Sequence, residues 1–165
     1  MIDVNDKKQR RLGRFMMDKY NFQIRVTGIL LEGRKILLVK QKVNPSRAWS
    51  LPGGRVEAGQ RLEEAINREM LEETGLITEV EKLLYICDKV DCDPPILHIT
   101  FLLKKIGGEI ALPTNEFDAN PISDVKYVDF SDLADFGFSE KFIDILENDF
   151  PNAGNYVGLK ENIGL

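Results

Sequence analysis

The stretch LPGGRVEAGQ (Leu51–Gln60) runs directly into RLEEAINREMLEETGL (Arg61–Leu76). A proline and the glycines Gly53, Gly54 and Gly59 punctuate the first part. Glycine permits positive φ and close approach of the backbone to a partner. The second part reads as a helix over Leu62–Thr74, ended by Gly75 in the left-handed conformation. On a wheel turning about 100° per residue, Leu62, Ala65, Ile66 and Met70 form one apolar stripe, the pattern of a core-facing helix. Carried toward the C-terminus, that stripe reaches Glu69, Glu72 and Glu73, which are neighbours at i, i+3 and i+4. Glu63 and Glu64 lie off it in the first turn, where acids favour the helix dipole, and are read as structural.

Acidic helical runs are usually solvated faces. Here the acids overlap the stripe that must be buried. They also repel one another and oppose the dipole near the helix C-terminus. Such a cluster persists only if it is neutralised. Arg68 flanks it, but one guanidinium does not balance three carboxylates. A hard divalent cation with oxygen ligands, Mg²⁺ or Mn²⁺, does. The glycine loop then gains a purpose, because its bare amides and carbonyls can face a phosphate or join the metal. Gly53 and Gly54 are the candidates.

Working outward, strands are expected at Phe22–Leu31 and Lys35–Gln41 around a turn at Glu32–Arg34, with a loop at Val43–Ala48 and a short extended piece at Trp49–Pro52. Further strands are expected at Glu79–Val90, Ile96–Lys105 and Asp124–Phe130, with a turn at Ile106–Ile110. Ser139 can cap a helix running to about Asn148, stopped by Pro151. This is a mixed sheet with a central helix and a C-terminal helix, an α/β (or α+β) domain. The core spans about residues 22–148, between an N-terminal arm (1–21) and a C-terminal tail (149–165).

The chain-wide numbers agree. A chain of 165 residues, 43% apolar and 30% charged, is one domain with a real core. A net charge of −5 argues against general nucleic-acid binding, which needs a basic surface. Cys87 and Cys92 are too few for a disulfide framework. The opening MIDVNDKKQRRLGRFMMDKY has no apolar signal core, and no apolar run approaches membrane-spanning length. A cytoplasmic protein without membrane association is expected.

Together these residues resemble the Nudix hydrolase family. Its signature runs from a glycine through a spaced glutamate to Arg-Glu, an aliphatic residue, Glu-Glu and a closing glycine–aliphatic pair. Here Gly54 opens it, Arg68-Glu69 and Met70 follow, Glu72-Glu73 come next, and Gly75-Leu76 close it; the preceding WSLPGG is also typical. The resemblance implies an α/β/α sandwich with a mixed sheet. It also implies Mg²⁺-dependent (or Mn²⁺-dependent) hydrolysis of the diphosphate linkage in a nucleoside diphosphate joined to another group X. Nucleoside triphosphates, ADP-ribose and nucleotide sugars all share that unit. The implied metal ligands are Glu69, Glu72 and Glu73 with Gly54, and the implied catalytic residues are Glu72, Glu73 and Arg68, which holds the glutamates in place. A small nucleotide is the implied partner, and a homodimer is compatible with the resemblance. Gln60 stands where the family has its first box glutamate, so it is expected to modulate metal binding. The competing reading is a non-catalytic nucleotide-binding module whose site has decayed at Gln60.

Other candidates are Arg47 and Arg25 with Gly53 for a substrate phosphate, since the planar guanidinium grips oxyanions well. Glu109 or Glu116, from a later loop, is an alternative general base to Glu72 or Glu73. Strand alternation puts His98 opposite Leu97, Ile99 and Phe101, where a hydrogen-bonded sheet histidine is expected, with contact to a substrate as the alternative. The spacing of Cys87, Asp91, Cys92, Asp93 and His98 matches no zinc pattern. Trp49 is expected to pack beside the loop.

Overall fold

The computed structural model describes residues 22–44, 47–114 and 121–165. Two strands, β1 (Gln23–Glu32) and β2 (Lys35–Asn44), meet at a two-residue turn, with Glu32 opposite Lys35. Beyond Leu31↔Ile36 they part. The gap between them is filled by the glycine loop. Val26 N–H donates to the Gly54 carbonyl, Gly28 N–H to that of Pro52, and Val56 N–H to that of Ile24, each at 2.9–3.0 Å. One edge of β1 thus carries the loop and the other pairs in parallel with β5 (Ile96–Gly108).

The helix α1 spans Leu62–Thr74 and ends on Gly75 at φ 75°, as its sequence pattern predicts. Glu64 closes its first turn by accepting from Arg61 N–H at 2.9 Å. The strand β4 (Leu76–Lys89) follows immediately, and β3 (Arg47–Ser50) flanks β2. β4 starts earlier than expected, and β5 runs on through the expected turn, because Leu76 and Ile77 pair with Gly108 and Gly107. β6 (Asp124–Asp129) lies antiparallel to β2. Ser139 caps α2 (Glu140–Glu147), as expected.

The expectation of a tail at 149–165 is corrected. Residues Asn155–Leu159 form β7, parallel to β4, and Lys160–Ile163 form a 3-10 turn. Phe150 and Ile163 are buried in the core. The sheet therefore runs β3-β2-β1-β5-β4-β7, with β6 also on β2.

Alternation along the strands sorts side chains onto two faces. Leu30, Leu37 and Val39 pack with Ala65, Ile66 and Met70 of α1. Ile29, Ile36 and Leu38 pack with Phe142 and Leu146 of α2, Phe150 and Ile163. This is the expected α/β/α sandwich. No helix among the described residues is long and apolar enough to cross a membrane. The arm 1–21 and Glu116 lie outside the described residues.

Candidate active site

The loop owes its shape to its glycines. Gly53 has φ 143°, and a side chain there would collide with the Val26 carbonyl on β1. At Gly54 a Cβ would enter the Glu69 carboxylate. The helix acids are therefore pressed against bare backbone, and the contact is used: Gly53 N–H donates to Glu73 Oε2 at 2.8 Å.

Arg68 ties the other two acids together. Its Nη1 donates to Glu72 Oε2 at 2.8 Å, and its Nη2 to Glu69 Oε1 at 2.9 Å and to the Arg55 carbonyl at 3.0 Å. Charge-assisted bonds of this kind fix geometry strongly. The side chains differ in exposure, at 13% for Glu69 and 57% for Glu72. Burial raises the Glu69 carboxyl above its ordinary range, and Arg68 opposes this without cancelling it.

Among the described residues, no three Asp, Glu, His or Cys side chains are gathered closely enough to hold an ion as they stand. The acids are instead arrayed along a ledge, spaced apart by Arg68 and the loop. The ledge fits a hard divalent cation on three counts. Its donors are all oxygens, the shielded Glu69 carboxylate lacks full compensation, and the Gly54 cradle leaves no side chain in the way. Glu69, Glu72, Glu73 and the Gly54 backbone would hold it. Gln60 turns its amide oxygen onto Glu57 N–H at 3.1 Å and so closes its own loop.

A cleft of about 320 Å³ opens from Gly53. The candidates Arg25, Arg47 and Gly53 all line it, so the structure brings the expected substrate residues together. Arg47 also stacks over Phe138, 5.1 Å from the ring centroid. Two of its lining residues sit side by side on neighbouring strands, since Arg25 pairs with His98. His98 lines the cleft at 7% exposure, but its Nδ1 has no hydrogen-bond partner, contrary to the expectation. Burial, then Lys160, Arg25 and Lys89, push it down to about 3, so the ring is neutral.

Sequence reading missed Lys160 and Lys89 in the cleft wall. Their only signal is positive charge in polar stretches. Trp49 packs edge-on against Phe136 at 5.2 Å, as expected of a structural residue, and Glu109 is exposed.

Comparison with known proteins adds to this. A family model described as NUDIX domain matches residues 21–147. An ADP-ribose pyrophosphatase of Methanocaldococcus jannaschii is 47% identical over 90 residues, 53% of each chain. The human 8-oxo-dGDP phosphatase NUDT18 is 34% identical over 59% of this chain and 29% of its own. The matched segments thus span about half or less of these curated relatives. A crystal structure of a UDP-X diphosphatase superposes with TM-score 0.66 at 23% identity, covering 93% of this chain and 75% of that one, a likeness of fold.

Proposed function

The chain belongs to the NUDIX family, and from that premise we propose that it is a divalent-metal-dependent hydrolase. It cleaves the phosphoric anhydride of a nucleoside diphosphate joined to a group X, such as a nucleoside triphosphate, ADP-ribose or a nucleotide sugar. The observation that carries this reading is the ledge, where Arg68 clamps Glu69 and Glu72 while Glu73 is bound to Gly53 N–H. A binding module has no need of that clamp.

Mg²⁺ or Mn²⁺ held by Glu69, Glu72, Glu73 and the Gly54 backbone would offset charge on the diphosphate oxygens and acidify the attacking water. The protein's own groups do the rest by positioning, which is most of what phosphoryl transfer requires. Arg68 keeps Glu69 and Glu72 apart and oriented. Glu73 is steadied by the loop. Glu72, more than half exposed, is the carboxylate best placed to take a proton from water. Arg25 and Arg47 hold the nucleotide in the cleft that opens at Gly53.

Glu72→Gln and Glu73→Gln keep size and acceptor oxygen, so the fold should survive, with circular dichroism unchanged. Each should lower kcat by about 100-fold or more. Variants hydrolysing at the wild-type rate would remove the ledge from the mechanism. A wild type that binds nucleotides but cleaves none at any Mg²⁺ concentration would make the protein a binding module.

A further inference from the structure

Arg25, Arg47, Lys89 and Lys160 all line the cleft, and among the described residues no Asp or Glu does. Not all of these cations are equally available. Lys89 is committed to Asp91, with Nζ 2.8 Å from a carboxylate oxygen. Lys160 has no carboxylate partner among the described residues, although it is only partly exposed. Burial, then Arg47 and Arg25, push its ammonium down to about 8.

A cation partly withdrawn from water without a partner is unfavourable, and several of like sign more so. The fold nonetheless goes to some length to put Lys160 there. β7 must pair with β4, with Leu159 opposite Asp88, before the 3-10 turn can deliver the next residue into the cleft. Asn162 Nδ2 pins that turn to the Val157 carbonyl at 2.8 Å. Beneath lies His98, uncharged, with an unpartnered nitrogen. The missing component of such a site is an anion, and it must be compact and multiply charged to satisfy several cations at once.

We propose that Lys160, together with Arg25 and Arg47, seats a phosphate group that the substrate carries beyond the diphosphate at the glutamate ledge. The protein thereby favours nucleotides whose X is itself anionic over those with a neutral sugar. This rests on the hydrolase reading for the identity of the substrate, but not for the existence of the anion site. Arg25 and Arg47 grip through planar forks, and Lys160 supplies a point charge at the cleft wall. His98 adds a polar edge without adding charge.

The anion site is tested apart from catalysis. Pyrophosphate is titrated by calorimetry into metal-free protein in excess chelator, where the carboxylate ledge repels it. Lys160→Met and Arg25→Gln should each weaken binding at least tenfold. Lys104→Met, which alters an exposed cation 3.5 Å from Glu79, should leave it unchanged. No pyrophosphate binding, or equal affinity in all four proteins, overturns the proposal even if the enzyme hydrolyses nucleotides. With Mg²⁺ present, Lys160→Met should raise KM for a nucleoside triphosphate about tenfold, and that for a nucleotide sugar by less than twofold. Equal losses on both would overturn the selectivity. Failure to hydrolyse any nucleotide, with the pyrophosphate result intact, would sink the hydrolase reading and leave the anion site standing.

Discussion

Arg68 does two things with one guanidinium: it neutralises part of the glutamate cluster and it sets the spacing of Glu69 and Glu72. The helical wheel foretold the cluster, because spacing alone fixes which side chains are neighbours on a helix. It did not foretell that Glu73 would be held by the loop amide, since that bond joins residues twenty apart. Gln60 is the residue whose effect is most open to direct measurement. Its amide oxygen accepts from Glu57 N–H, a bond that a glutamate in its place can keep. Under the hydrolase reading, in which this position of the signature serves the metal site, Gln60→Glu adds a negative charge to the loop that feeds the ledge, and hard-ion affinity follows ligand charge. The variant should therefore reach half-maximal rate at lower Mg²⁺, with stability in chelator changed by less than about 0.5 kcal/mol. Rate against Mg²⁺ for both proteins, with a urea melt of each, is the measurement. Superimposable rate curves would make Gln60 a loop residue alone.

At the scale of elements, α1 was legible from its apolar stripe and terminating glycine, and α2 from its capping serine and the proline beyond it. The strands β1, β2 and β6 were legible from alternation and turn residues. β7 was not. NYVGL is five residues long, interrupted by glycine and mostly exposed, and its partner β4 lies some seventy positions earlier. Nothing local could reveal that pairing, and with it Lys160 was lost from view. Ser139 links this hidden element to a legible one. Its Oγ accepts from Phe142 N–H at 3.2 Å, capping α2, and donates to the Gly164 carbonyl at 2.7 Å. Ser139→Ala should cost about 1–2 kcal/mol in urea denaturation. It should also free the C-terminal segment, speeding limited proteolysis after Lys160 relative to the rest of the chain. Unchanged proteolysis would show that β7 and Ile163 hold the segment without the serine.

Over the whole molecule, a net charge of −5 coexists with a cation-lined cleft. The total was readable from the sequence, whereas its separation into an acidic ledge and a basic cleft is a product of folding. That separation has a thermodynamic signature. Lys160 falls from the ordinary 10.5 to about 8 in the folded protein, so folding disfavours its charged form. The penalty is complete below pH 8 and fades as pH rises from 8 toward 10.5, because only there does the unfolded chain hold the extra proton. Lys160→Met should thus be more stable than wild type by about 1–3 kcal/mol at pH 7, a gap that closes as the buffer is made alkaline. Urea melts of both proteins across that range check it, and a variant less stable at pH 7 would contradict it. The cleft draws on a second part of the chain, and this bears on how such a protein can change. The ledge hangs from one helix and one loop, whereas the cleft is finished by the segment after Gly154. Under the two proposals, substitutions at Lys160 would alter which molecules are admitted without touching the ledge, while Ile163, buried in the core, has to be kept. On that reading one part of the selectivity, Lys160, is inherited apart from the helix and loop of the ledge, while Arg25, Arg47 and Gly53 stay with the body of the sheet, so that part can drift while the ledge stays fixed.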